Sequence, residues 1–347
     1  MREVVVSALI SLLTLVSGTA FPDTAKIGAL VVDDATDEPI ENVHVTANFM
    51  MNNGWLAWKG GASPNIKRVL TDKRGRCQAM GRTNVGKAGC YVRSAPNGYY
   101  VPALGDGYTF EHKNLFGVWQ PDNLVVTIRL QRVEHPVPLF VKQLGRNRHG
   151  IAKEMFPKGC DLLFLDLMVG DWLPPAGNGM VADVEFRRFP REDQGEGEVD
   201  GIKGRSYRDK MSVRFLGDGN GLVEMPIKPE DGLWIRKAPE EGFKGEYLCW
   251  EERGKDLQLK ESYDKHRCFC FRIRTQWDND GCIVRAYYGK IYGDISAPCL
   301  AGNVRSFVPI AGVCMRYYLN PVSLDRNLEW NMKNLCPNPG DLHGVMP

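Results

Sequence analysis

The sequence has little excess charge of either sign and few histidines. Its 44 Lys and Arg nearly balance its 42 Asp and Glu, for a formal net charge of +2. A protein that binds nucleic acid needs a concentrated basic surface to neutralise phosphates, so we expect no nucleic-acid partner. The six His form neither His-Glu-x-x-His nor another ligand spacing. We therefore expect no bound metal and no cofactor.

Long apolar runs are also missing. The run from Val4 to Val16 is shorter than the roughly 20 residues that a membrane-spanning helix needs. It follows Arg2 and precedes Gly18-Thr19-Ala20, small residues of the kind that a signal peptidase reads. We predict a signal peptide over 1–20 that is cleaved before Phe21, and no transmembrane anchor. The protein is then exported, either to a periplasm or to the exterior.

Windows with a helical period are outnumbered by short alternating runs, which are typical of strands. Such runs between 26 and 132 are separated by Gly, Pro, Asn and Asp, a pattern that predicts a small antiparallel sandwich. A second β-rich region begins near Cys160. We expect an all-β protein with two antiparallel β-sandwich-type domains, over 21–134 and 160–347, the second ending in a C-terminal tail. An extended linker, 135–159, joins the two domains, and the charged, Gly-rich stretch 191–210 is expected to be a mobile flap or a disordered insert.

The first domain resembles the carboxypeptidase regulatory-like domain, a transthyretin-like β-sandwich of secreted bacterial proteins. The matching stretches are Gly28 to Asp33, Glu38-Pro39-Ile40, Val43-His44-Val45, Thr71 to Arg76 and Gly98-Tyr99-Tyr100. The family places a Pro-Ile turn between its first two strands and Thr-Asp-x-x-Gly before a later one. The resemblance covers about a third of the chain and implies a supporting or binding module without catalysis. The remainder resembles uncharacterised secreted bacterial proteins.

An insertion over 50–66 departs from that family. It holds Trp55 and Trp58 close together among Gly and Asn. Most Trp are partly buried core residues, but this pair is our candidate for ligand binding.

The ten Cys are even in number and all follow the predicted signal peptide. In an oxidising compartment this favours disulfides. Cys77 and Cys90 flank a predicted hairpin tip, GRTNVGKAG, and we predict that they are bonded. Cys268 and Cys270 would share one face of a strand, where separate disulfides are favoured over a metal site that includes His266.

The turn Asp278-Asn279-Asp280-Gly281 predicts a hairpin. With that turn at its centre, the pattern places Phe269, Phe271, Ile273 and Trp277 on one face together with Cys282, Val284, Ala286 and Tyr288. A calcium loop at this turn is disfavoured, because no Glu follows at the required distance.

The carboxylates of the second domain decide between a non-catalytic role and a hydrolytic one. They are Asp161, Asp166, Asp171, Asp183, Glu185 and Glu224. Alternation from Met180 to Phe186 places Asp183 and Glu185 on the face that is normally wet. Our preferred hypothesis is an exported, non-catalytic protein with a binding, adhesion or envelope-structural role, whose partner is a protein or glycan surface. The alternative is a secreted glycan hydrolase that uses Asp183, Glu185 and Glu224, since such an enzyme needs two suitably spaced carboxylates.

Overall fold

The structure is a computed structural model and describes residues 23–51, 63–94, 96, 98–100, 107–122, 124–145, 156, 160–199, 202–226, 234–264, 267–295, 313–337 and 339. Every regular element in these described ranges is a β-strand, which confirms the all-β prediction. Nothing in them is a helix long and apolar enough to cross a membrane. The predicted signal peptide, Trp55 and Trp58 lie outside the described residues. The chain divides into two compact units, unit 1 (1–132 and 230–232) and unit 2 (133–229 and 233–347).

The described strands of unit 1 are β1 (Thr24–Asp33), β2 (His44–Met51), β3 (Ser63–Leu70), β4 (Arg76–Arg82), β5 (Lys87–Ser94), β6 (Gly107–Thr109), β7 (His112–Lys113), β8 (Trp119–Gln120) and β9 (Leu124–Leu130). They form sheets in the orders β4-β1-β9, β3-β2-β5-β6 and β7-β8. β1 and β9 run parallel, and the other paired strands are antiparallel.

The two larger sheets of unit 1 enclose one apolar core. β1 contributes Ile27 and Val31, and β2 contributes Val45 and Phe49 from the facing sheet. Alternation along each strand puts these side chains on the inner faces. A Cβ added to Gly81 of β4 would lie 2.1 Å from the Phe49 ring. The sheets therefore approach this closely because residue 81 has no side chain.

The Thr-Asp-x-x-Gly stretch of unit 1 ties a turn to the connection between β1 and β2. The Thr71 hydroxyl donates to the Ile40 carbonyl at 2.7 Å and accepts the Val43 N–H at 2.9 Å. The Asp72 carboxylate accepts two backbone N–H groups of its own turn. Gly75 has φ +68°, and a Cβ on it would lie 2.4 Å from a carbonyl oxygen of β1. The motif thus fixes backbone geometry, and its polar groups hold the turn and its attachment to the β1–β2 connection.

The described strands of unit 2 are β10 (Val137–Leu144), β11 (Leu162–Asp166), β12 (Asp171–Trp172), β13 (Val184–Arg188), β14 (Glu192–Val199), β15 (Ile202–Phe215), β16 (Gly221–Met225), β17 (Glu246–Arg253), β18 (Leu259–Glu261), β19 (Cys268–Trp277), β20 (Ile283–Tyr292), β21 (Met315–Leu319) and β22 (Trp330–Asn334). A six-stranded sheet has the order β16-β19-β20-β21-β10-β22. A seven-stranded sheet has the order β12-β11-β13-β15-β17-β18, with β14 paired to β15.

The two sheets of unit 2 pack through their inner faces. Phe271 and Tyr317 come from the six-stranded sheet, and Val184, Phe186 and Val213 come from the seven-stranded one. All five are buried. This arrangement agrees with the predicted sandwich architecture.

Two segments of unit 2 differ from their sequence-based description. Residues 137–144, placed in the predicted linker, form β10, which pairs with β21 and β22. The described residues of the stretch 191–210 form β14 and the first part of β15, so they are paired strands rather than the predicted mobile flap or disordered insert. Here the cross-strand pairing of Glu and Asp with Arg and Lys stabilises a charged hairpin.

The hairpin at Asp278 forms as predicted, with the Asp278 carboxylate accepting the N–H groups of Asp280 and Cys282. The predicted register is wrong by one residue from the turn itself, because the Asp278 N–H donates to the Cys282 carbonyl and Trp277 pairs with Ile283, so the loop has three residues, 279–281. A shift of one residue exchanges the faces of the whole second strand. Two irregularities in the hairpin, between Ile273 and Gln276 and between Gln276 and Trp277, offset each other. Tyr287 therefore points to the core, and Tyr288, predicted to do so, lies on the opposite face.

Candidate functional site

The irregularity in β19 positions an arginine over two buried carboxylates. Arg274 has φ +52°, a conformation that non-glycine residues rarely adopt. Its Nε donates to the Asp183 Oδ1 at 2.8 Å, and its Nη2 donates to both the Asp183 Oδ2 and the Asp166 Oδ1 at 2.8 Å. Asp166 and Asp183 are 1% and 2% exposed. The structure thus brings these two predicted residues together on one guanidinium.

Backbone N–H groups use the remaining acceptors of that cluster. Asp166 accepts N–H groups from Met168, Val169, Met180 and Val181, at 3.0–3.1 Å. Burial opposes ionisation of Asp166, but these hydrogen bonds and Arg274 hold the pKa of its carboxyl below the ordinary value. For Asp183, burial outweighs Arg274 and raises the pKa. Both carboxylates anchor a loop to the sheet.

Glu185 lies on the outer face of the seven-stranded sheet, as alternation predicts, but it is 5% exposed. Its two oxygens accept hydrogen bonds from Arg187 at 3.2 Å and Arg214 at 3.0 Å. Both arginine side chains are 52% exposed. The carboxylate is therefore covered by two guanidinium groups, and the expectation that it is wet is wrong.

Glu224 stands apart from these residues on β16. Its side chain is 61% exposed and lies 3.4 Å from the Nε of Arg267, which also donates to the buried Asp294. Asp183, Glu185 and Glu224 therefore have three different sets of arginine partners. Asp171 accepts N–H groups from its own loop, and Asp161 precedes β11.

A surface hollow that no sequence motif indicated lies where β15 ends and β17 begins. It has a volume of about 550 Å³ and is lined by Arg214, Phe215, Leu216, Gly217, Gly245 and Glu246. The volume is within the range of small-ligand sites. Alternation predicts that Arg214 points outward. No local signal predicts that the segments containing Gly217 and Gly245 lie side by side at the hollow.

The cysteines of unit 1 lie on opposite sheets. β4 pairs with β1, and β5 pairs with β2 and β6, so Cys77 and Cys90 do not flank a hairpin as predicted. Both are thiols in this structure. Burial, and then the nearby Cys77, raises the pKa of Cys90 to about 12. Their bonding remains a prediction, now of a bridge from sheet to sheet.

The outer face of the six-stranded sheet carries a buried lysine among aromatic rings. The Nζ of Lys290 lies 5.0 Å from the ring centroids of both Tyr292 and Tyr318 and donates to the Ile235 carbonyl at 3.0 Å. Burial lowers the pKa of Lys290 to about 7. Trp234 and Trp330 continue the edge-to-face contacts at the two ends of this layer.

Cys268 and Cys270 are buried on the same outer face, opposite to Phe269 as predicted. Across the described ranges, no three His, Cys, Asp or Glu residues are grouped so that they could hold a metal ion. His266, the third group of the alternative metal site, lies outside those ranges.

No protein-family model matches the chain, and no curated protein matches its sequence. Solved structures of Gram-positive pilins are similar in part. The major pilin subunit BcpA of Bacillus cereus is 9% identical with TM-score 0.23, over 84% of this chain and 95% of that one. The major pilin SpaD of Corynebacterium diphtheriae is 11% identical with TM-score 0.24, over 74% and 90%. TM-scores this low assign neither a fold nor a function to this chain.

Proposed function

We propose that this chain is an exported, non-catalytic β-sandwich protein with a binding, adhesion or envelope-structural role, on a protein or glycan surface in the periplasm or outside the cell. The observation that carries the proposal is the Arg274 cluster. Asp183, a carboxylate that a glycan hydrolase would have needed, has both oxygens bound to Arg274 and to the Leu167 N–H. A carboxylate held in this way stabilises the loop it anchors.

Unit 1 fits the same role. One part of its resemblance to the carboxypeptidase regulatory-like domain is the stretch from Thr71 to Gly75, whose hydrogen bonds hold a turn and tie it to the connection between β1 and β2. A second part of the matched pattern is also structural: the Tyr99 hydroxyl donates to the buried Asp33 at 2.9 Å. Although burial opposes it, hydrogen bonds from Arg132 and Tyr99 hold the pKa of Asp33 well below its ordinary value. We infer that unit 1 is a supporting module.

Assay of the mature protein on a panel of polysaccharides tests the absence of catalysis. We expect no turnover by the wild type. Turnover that Glu224→Ala abolishes would overturn the proposal, and this variant is the most informative because Glu224 is exposed and its removal spares the core. Turnover abolished only by Asp183→Ala would be checked against the melting temperature, since that change leaves Arg274 without its carboxylate.

Export is tested separately. N-terminal sequencing of protein recovered from the envelope or the medium should give Phe21 as the first residue. Recovery of the chain there with Met1 intact would contradict the proposed signal peptide.

A further inference from the structure

The hollow on unit 2 continues into a strip of outward-pointing side chains along two neighbouring strands. Side chains alternate along a strand, so every second residue lies on the outer face. From β15 these are Arg214, Ser212 and Lys210. Their cross-strand partners on β17 are Glu246, Leu248 and Trp250. Leu248 and Trp250 are 46% and 37% exposed. We call these six residues the outer strip.

Two oppositely charged side chains face the hollow without being bound to each other. Arg214 and Glu246 are direct cross-strand partners, yet Arg214 donates to Glu185 and Glu246 accepts the Ser212 hydroxyl at 2.6 Å. A guanidinium has five N–H donors and a carboxylate has two acceptor oxygens. Both groups can therefore form further hydrogen bonds. Their side chains are already held in place, Arg214 by Glu185 and Glu246 by Ser212.

The charge balance of the hollow indicates the class of ligand. The cation of Arg214 is opposed by Glu246 at the rim and by the buried Glu185 beneath it. An anionic ligand bound to Arg214 would be repelled by these two carboxylates. A neutral ligand with neighbouring hydroxyl groups suits the pair better, because each hydroxyl both donates and accepts.

The outer strip extends the contact in one direction. Trp250 is four residues from Glu246 along β17, which is about 13 Å at the usual rise of a strand. An indole ring offers a flat apolar surface with one polar edge, against which the apolar face of a pyranose ring packs. Leu248 lies between the hollow and this ring, so the strip joins a polar end to an apolar one.

We propose that the hollow and the outer strip bind a neutral oligosaccharide. The hydroxyl groups of one sugar bond to Arg214 and Glu246, and following rings lie along β17 over Leu248 and Trp250. This inference rests on the proposed binding role and gives it a ligand class and a site.

Calorimetric titration of the full mature chain tests the site, with hexasaccharides of β-1,4-glucan, β-1,4-mannan, α-1,4-glucan and chitin as neutral probes and a polygalacturonate hexamer as the charged one. We expect binding of at least one neutral probe and weaker binding of the charged one. Arg214→Ala should weaken the neutral complex at least about tenfold, the loss expected for a charge-assisted hydrogen bond. Trp250→Ala should weaken it by a similar factor.

The chain offers a matched control and an occlusion variant. Arg187 binds the same Glu185 and is as exposed as Arg214, but it does not line the hollow, so Arg187→Ala should leave the affinity within about twofold. At Gly245, an added Cβ meets only a carbonyl oxygen at 3.8 Å. Gly245→Leu should therefore fill the hollow, abolish binding and leave the melting temperature nearly unchanged.

The outcomes separate this inference from the proposed function. If no neutral probe binds, or if Arg214→Ala and Arg187→Ala have equal effects, the ligand assignment is overturned and a non-catalytic role on a protein surface stands. Preference for polygalacturonate would overturn the neutral ligand. If a probe is cleaved, the proposed non-catalytic role fails whatever its affinity for the hollow.

Discussion

Lys290 gives a test of the packing of unit 2 through the pH dependence of its stability. Its Nζ is enclosed by Tyr292, Tyr318 and the Ile235 carbonyl, and burial lowers its pKa to about 7. A lysine in the unfolded chain has a pKa of roughly 10.4. Lys290→Met removes the titrating amine and keeps an unbranched, apolar stem of similar length.

The sign of the effect follows from proton counts. Between pH 7 and about 10.4 the unfolded chain binds a proton at Lys290 that the folded chain has lost, so the free energy of unfolding rises with pH in this window. The limiting slope is about 1.4 kcal/mol per pH unit. Since half of the folded molecules are still protonated at pH 7, we expect the free energy of unfolding to rise by about 1–2 kcal/mol between pH 7 and pH 8.5. The free energy of unfolding of the wild type should rise by that amount relative to Lys290→Met.

Denaturant unfolding of both proteins at several pH values, followed by tryptophan fluorescence, measures this difference. The window ends near pH 8.5 because thiols of the unfolded chain begin to ionise there. Lys260→Met, at an exposed position on β18, controls for the loss of one positive charge. A wild-type-minus-Lys290→Met difference that stays constant across the window would refute a buried amine with a depressed pKa.

Two further substitutions and one analysis of the cysteines have expected outcomes. Arg274→Ala leaves two buried carboxylates without their cation and should cost about 3–5 kcal/mol of unfolding free energy in denaturant titration; a loss below 1 kcal/mol would contradict the network. Gly75→Ala should lower the melting temperature more than Gly98→Ala, because both have positive φ but only residue 75 would clash; equal losses would mean that backbone strain alone acts. Peptide mapping by mass spectrometry, without reduction, of protein from an oxidising compartment should show Cys77 and Cys90 joined, and alkylation of both thiols without reduction would exclude the bridge.

Strand content was predictable because alternation and turn residues are local signals. Asp278 to Gly281 encodes its hairpin within four residues, through a carboxylate that accepts two nearby N–H groups. The face of Tyr288 was missed because the loop has three residues, 279–281, where the prediction centred the turn between two. The left-handed conformation of Arg274 has no local signal. What stabilises that conformation is contact with Asp166 and Asp183, which lie about a hundred positions earlier in the chain.

The carboxylates show the same division between local and distant information. Alternation gives the correct face for Glu185, but its burial depends on Arg214 of another strand. The hollow depends on two turns that meet only in the folded sheet. Alternation gives the relative directions of side chains within one regular strand, and tertiary contacts decide what covers them.

The pairing of early strands with late strands has a consequence for the timing of folding. In unit 1, β1 pairs with β9, and in unit 2, Leu144 of β10 pairs with Met315 of β21. Pairings between such distant residues form slowly, because a long loop must close before any contact rewards it. If the chain is exported as proposed, with its N-terminus first, unit 1 can close the β4-β1-β9 sheet only after β9 has emerged. Unit 2 can close its six-stranded sheet only after β21 has emerged. Unit 2 would therefore stay unfolded for longer, and during that time its strands need protection from aggregation.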